Sequence, residues 1–214
     1  MGTLKVDNIQ TESGSAIITN GTIPVSTLTN SNVGMVKLVS STNDGTNPSI
    51  TLDLTSGTIG STYKAYKILG HNISSFSASN PNLNMFFGTA SDTFSTEIQK
   101  GGIRNHTDAN GANDSISYTS YHRSGQTDTG GATVAYYVPN TSDHATFDIT
   151  VFAINDSSVK ARYHGHINFN SSTNYVHTAI LNGRFNATTI TPYVKFEASS
   201  GNYAGTVTVY GIVD

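Results

Sequence analysis

No cysteine and no tryptophan occur among the 214 residues, and only 12% of the residues are charged. The missing cysteine excludes disulfides, thiol nucleophiles and thiolate metal sites. A charged fraction well under the ~25% of ordinary soluble domains leaves solubility to neutral polar groups. Three Glu, seven Lys and four Arg are a thin stock of helix formers. No apolar run approaches the ~18 residues of a membrane-crossing helix, so no membrane insertion is expected. The formal net charge of −3 gives no electrostatic case for nucleic acid or for an anionic membrane surface. The first residues carry no basic n-region and no small-residue cleavage site, so no secretory signal is read there.

What fills the chain instead is Thr, Ser and Asn, at 30, 26 and 21 residues, with 20 Gly and 11 Tyr. Thr and Tyr favour strands, while Gly and Asn favour turns. Together they predict an all-β protein. Asn-X-Ser/Thr sequons such as Asn72-Ile73-Ser74 follow from this composition, and no glycosylation is read from them.

Residues 1–34 are polar and weakly hydrophobic, with Leu4, Val6, Ile9, Ile17 and Ile23 set among Ser, Thr, Asn and Gly. Such spacing cannot make a core alone. We expect an extended N-terminal arm that docks the chain or associates with identical arms, with those five residues as its anchors. Strand addition to a partner's sheet would satisfy its backbone and bury its few apolar side chains.

From about residue 35 to 214, short apolar runs alternate with Gly, Asn, Asp and Ser clusters. Strands are predicted at 35–39, 49–54, 62–69, 83–88, 94–99, 115–121, 132–138, 146–154, 159–169, 175–181, 192–198 and 205–212. Alternation sets Ile50, Leu52 and Leu54 against Thr51 and Asp53. It likewise sets Tyr163, Gly165, Ile167 and Phe169 against Arg162, His164, His166 and Asn168. Turns are expected at 43–48, 155–158, 182–189 and 199–205, and a long polar surface loop at 100–115. The predicted architecture is a jelly-roll-like antiparallel β-sandwich following the arm.

Candidate chemistry is sparse. His164 and His166 lie two apart, so on a strand both imidazoles leave one face, and three such pairs at a three-fold axis could bind a metal. Against this, Arg162 shares that face. Asp108, Asn110 and Asp114 could present oxygens to calcium, but the EF-hand pattern is incomplete and ordinary turn chemistry explains the stretch. No cofactor is expected. There is no nucleophile elbow, no His-Glu-x-x-His and no phosphate loop, and the three Glu are poorly placed for a carboxylate pair, so no enzymatic activity is expected. Tyr118, Tyr121, Tyr136, Tyr137 and Tyr203 could offer flat faces to sugar rings. Alternation sends Tyr136 inward with Val134 and Val138, which leaves Tyr137 as the more exposed of that pair, and Tyr121 and Tyr137 are taken as the receptor-binding candidates.

Five stretches carry a family resemblance: "LKVDNIQTESGSAI" (4–17), "YKAYKILGHNI" (63–73), "NLNMFF" (82–87), "FDITVFAINDSSVKARYHGHINF" (147–169) and "GRFNATTITPYVKFEASSGNYAGTVTVYGI" (183–212). The set resembles bacteriophage fibre and virion structural proteins, particularly of marine and cyanobacterial viruses. The resemblance implies a non-enzymatic virion protein, commonly a homotrimer, assembled in the host cytoplasm and exposed on the particle. Its other partners would be a tail adaptor or nozzle, or the capsid surface, and a host glycan or protein. The sequence departs from a complete tail fibre in having no shaft between arm and head. Three readings follow: a short tail fibre contacting the host, a capsid decoration protein, and a secreted lectin-like adhesin module.

Overall fold

The computed structural model describes residues 8–10, 16–19, 34–54, 63–75, 81–95, 98–108, 115–119, 132–135, 144–170, 175–185, 188 and 190–212. All regular elements among them are strands. The chain divides into two compact units, Met1–Gly34 and Met35–Ile212. In the first, β1 (Asn8–Gln10) pairs antiparallel with β2 (Ala16–Thr19), with Ile9 opposite Ile18. The rest of the expected N-terminal arm lies outside the described residues. Of the five anchor residues, Ile9 and Ile17 lie in these two strands, while Leu4, Val6 and Ile23 fall outside the described residues.

The second unit begins with β3 (Met35–Asp44), β4 (Ser49–Asp53), β5 (Ala65–Ser75) and β6 (Leu83–Ala90). It continues with β7 (Thr93–Ser95), β8 (Ile98–Asp108), β9 (Ser115–Thr119) and β10 (Ala132–Ala135). The last five are β11 (Ala145–Phe152), β12 (Arg162–Asn170), β13 (Tyr175–Phe185), β14 (Tyr193–Ala198) and β15 (Tyr203–Ile212). The larger sheet runs β3-β15-β5-β11-β12-β13-β8-β9, and the smaller runs β10-β6-β14-β4 with β7 also on β6.

Four antiparallel pairs define the topology: β3 with β15, β4 with β14, β5 with β11, and β6 with β10. These are the pairs of one long hairpin whose arms are each four strands long. Rolling that hairpin brings β15 beside β5 and β14 beside β6, and both contacts are present. The result is a jelly roll, as the alternation predicts. β7, β8 and β9 are inserted between its fourth and fifth strands, and β12 and β13 between its sixth and seventh.

The core lies between the sheets. Phe147 of β11 stacks on Phe196 of β14 at 5.0 Å between ring centroids, and Phe87 of β6 meets both Tyr163 and Phe185 at 6.2 Å. Such pairs add about 0.5–1.5 kcal/mol each beyond area burial. Phe147 needs room: its ring occupies the space a side chain at Gly70, its β5 partner, would fill. At Gly165 an added Cβ would meet the Asp148 carbonyl oxygen and lie 2.9 Å from the Ile149 Cα, both backbone atoms that cannot swing aside.

The predicted alternation holds in β4 and β12: Ile50, Leu52, Tyr163, Ile167 and Phe169 are buried, and Thr51, Arg162, His164, His166 and Asn168 are exposed. The loop expected at 100–115 is instead largely strand. β8 pairs with β13 over eleven residues, from Ile98 opposite Phe185 to Asp108 opposite Tyr175. Gly101, Gly102 and Asn105 are poor strand formers, but pairing with β13, and for Gly102 and Asn105 also with β9, decides a sheet position more than intrinsic preference does. The same pairing carries β13 through Phe185, into the stretch expected as a turn.

Tyr203, one of the five tyrosines weighed for sugar contact, is instead core. It is buried, and its hydroxyl donates to the Phe196 carbonyl oxygen at 3.3 Å. Burial raises its phenol well above the ordinary tyrosine value. A raised folded-state value leaves stability intact below the unfolded value near 10 and removes it as pH rises further. We therefore predict that urea stability falls above pH ~10, and that Tyr203→Phe makes this fall shallower by roughly 1 kcal/mol per pH unit. Identical slopes for the two proteins would contradict the burial.

Candidate contact surface on the large sheet

On a strand every second side chain leaves the same face, so paired strands align outward-facing residues in rows across a sheet. On the outer face of the large sheet these rows can be read from the register. One row runs Lys37, Tyr210, Lys67, Thr150, His164, Asn182 across β3, β15, β5, β11, β12 and β13. The next runs Ser40, Thr208, Leu69, Asp148, His166, Ile180, Ile103. A third, toward the other end of the strands, runs Ala65, Phe152, Arg162, Arg184.

The composition changes along these rows. Over β3 and β15 the surface is a ladder of hydroxyls, with Ser40 bonded to Thr208 at 2.8 Å and Thr42 to Thr206 at 2.9 Å. Over β5 and β11 the Lys67 ammonium sits 2.7 Å from the Asp148 carboxylate. Beyond that, apolar side chains face outward: Phe152 is 37% exposed, Ile103 45%, Ile180 48% and Val176 53%. Ile180 and Ile103 are direct cross-strand partners, so their exposed surfaces adjoin.

On the outer face of the small sheet, side chains of the chain itself pack on one another. Phe94 of β7 lies over Gly88, where an added Cβ would come within 2.7 Å of its ring. The Lys195 ammonium sits 4.8 Å from the centroids of both Phe86 and Phe94, and 2.8 Å from Glu197. Its cation is thus satisfied by two rings and a carboxylate of the same chain.

His164 and His166 leave the same exposed face, as their spacing predicts. Their row neighbours are poor metal ligands: Thr150 and Asn182 flank His164, and Ile180 and the Lys67-paired Asp148 flank His166. His164 also stacks on Phe152, at 5.4 Å between centroids and 27° between planes. Among the described residues no group of three or more His, Cys, Asp or Glu could hold a metal within one chain. Of the calcium candidates, Asp108 ends β8, and Asn110 and Asp114 lie outside the described residues. Asp44 and Asp156 do gather donors, but from their own turns: Thr46 and Ser158 each give a hydroxyl and a backbone N–H, which holds both carboxyls below the usual range.

The receptor candidates Tyr121 and Tyr137 lie outside the described residues. The exposed apolar residues were not singled out by sequence reasoning. In "VHTAIL" (176–181), apolar residues occupy both faces, so alternation cannot tell outward Ile180 from inward Leu181. The class defined by fold and surface is a jelly-roll sandwich with exposed apolar side chains on the outer face of its large sheet. No protein-family model matches the chain, and no curated protein or solved structure matches it.

The two faces of β13 separate energetically. We predict that Ile180→Thr changes unfolding free energy by under about 0.5 kcal/mol, as surface changes do. Leu181→Ala, on the buried face, costs about 2–5 kcal/mol. Chemical denaturation of both variants checks this, and equal losses would contradict the assigned faces.

Proposed function

We propose that the chain is a non-enzymatic structural protein of a phage particle, a short tail fibre or tail appendage. Residues 1–34 anchor it to other virion proteins, and the sandwich is displayed outward for contact with the host surface. Three copies associate, using one sheet face each. The observation that carries this reading is the adjoining pair of exposed apolar side chains Ile103 and Ile180 on the outer face of the large sheet, with Val176 exposed four residues along β13. A two-layer sandwich has no internal need for apolar side chains on an outer face, whereas contact with a second copy buries them. The resemblance of the strand-bearing stretches to phage virion proteins supports the same reading.

A second reading, a capsid decoration protein, is favoured by one feature. The sandwich begins at Met35, directly after the anchoring segment, with no shaft between.

Light scattering of the full chain separates the two. The fibre reading predicts a particle of three times the 22.7 kDa chain mass, which Ile180→Asp reduces to a single chain. A monomeric unaltered chain would contradict it and favour a decoration protein held in place by its partner.

A further inference from the structure

A second apolar row crosses the outer face of the large sheet, apart from Ile103 and Ile180. Met35, Ile212, Ala65 and Phe152 stand directly opposite one another on β3, β15, β5 and β11. Their chain neighbours Tyr66, Val151 and Gly211 are buried, so by alternation this row points outward. Met35 is 50% and Phe152 37% exposed, while Ile212 and Ala65 are half-buried. The two patches take opposite flanks of one face. The row starts on β3, and Ile103 lies on β8, six strands away in the sheet order, or about 29 Å. They also differ in level. The line of the row meets β13 at Arg184, and Ile180 lies four residues along that strand, about 13 Å.

A closed ring of three identical chains joins two different surfaces at every contact, and only side chains on the axis itself meet their own copies. A patch that meets its own copy across a two-fold axis makes a dimer, so a trimer calls for two patches. This face has two. Charge favours pairing one with the other. Exposed Lys37 and Arg162 flank the Met35–Phe152 row, so contact of that row with its own copy would set cations near cations. Around Ile103 and Ile180 the described side chains on the same face are His166, Asn105, Thr178 and Asn182, none of them Lys, Arg, Asp or Glu. Beyond His166 stands Asp148, which Lys67 pairs.

We infer that Ile103 and Ile180 of one copy pack on the Met35–Ile212–Ala65–Phe152 row of the next. The inference rests on the three-copy reading above and names the partner surface of that face. Each contact takes one patch of each kind, so three contacts close the ring and bury all six patches. A charge placed in either patch breaks every contact at once.

Light scattering and cross-linking of the full chain test this pairing. Phe152→Asp should lower the mass from three times 22.7 kDa to a single chain, as Ile180→Asp should. Thr51→Asp, exposed on β4 of the small sheet, should leave the trimer intact. Thermal melts matching the unaltered chain establish that each variant is folded. Because the chain has no cysteine, single cysteines report contacts directly. Phe152→Cys and Ile180→Cys chains, expressed together and treated with a short bismaleimide, should link unlike chains, and each expressed alone should link little. A trimer in Phe152→Asp, or links in Ile180→Cys alone equal to those in the mixture, would overturn the pairing and keep the trimer. A monomeric unaltered chain would overturn the three-copy reading and the pairing with it.

Discussion

The sandwich closes when its first strand, Met35–Asp44, finds its last, Tyr203–Ile212, and the remaining pairs of the rolled hairpin lie inside that closure. The hydrogen bond between Ser40 and Thr208 joins residues 168 apart. Bringing such distant points together costs on the order of 4–5 kcal/mol of chain entropy before any contact compensates. No single hydroxyl pair offsets that. What offsets it is the core that closure creates, where Phe147, Phe196, Phe87, Tyr163 and Phe185 meet between the sheets. Pairing and core thus depend on each other, which favours slow, cooperative folding.

The eight strands of the roll supply the scaffold, and the inserted strands supply much of the surface that could do something. Ile180 and Val176 belong to β13, Ile103 to β8, and Arg162, His164 and His166 to β12. These insertions widen the large sheet past the roll's own four strands. Their inner faces still carry core residues such as Ile167, Ala179 and Leu181. Their outer faces carry the exposed side chains of Ile103, Ile180, Arg162, His164 and His166. On the small sheet, by contrast, Phe94 and Lys195 pack over Gly88 and Phe86 from within the chain.

Much of this was legible in the sequence, for a physical reason. Where one face of a strand is core and the other solvent, a period of two is written into the residues, as in Ile50–Leu54 and Arg162–Phe169. It was not legible where pairing overrode composition. Lys100-Gly101-Gly102 reads as loop, yet it pairs residue for residue with Leu181, Asn182 and Gly183. Tyr203 reads as a surface aromatic after a Ser-Gly-Asn turn, but the turn folds it inward against Phe196. The candidate surface was hidden for another reason. The His164–His166 spacing was visible, but the row that sets Phe152 beside Arg162 and Arg184 joins three strands through register, which no local pattern encodes.

Closure by the first and last strands is open to one direct measurement, helped by the absence of native cysteine. Ser40 and Thr208 are register partners, and cross-strand partners stand about 4.5–5.5 Å apart at Cα, within disulfide reach. In the double variant Ser40→Cys/Thr208→Cys, mild oxidation should form an intramolecular disulfide in the folded chain, while Ser40→Cys/Thr206→Cys, shifted by two residues, should form little. No disulfide in the first pair, or one formed between chains, would contradict the rolled hairpin.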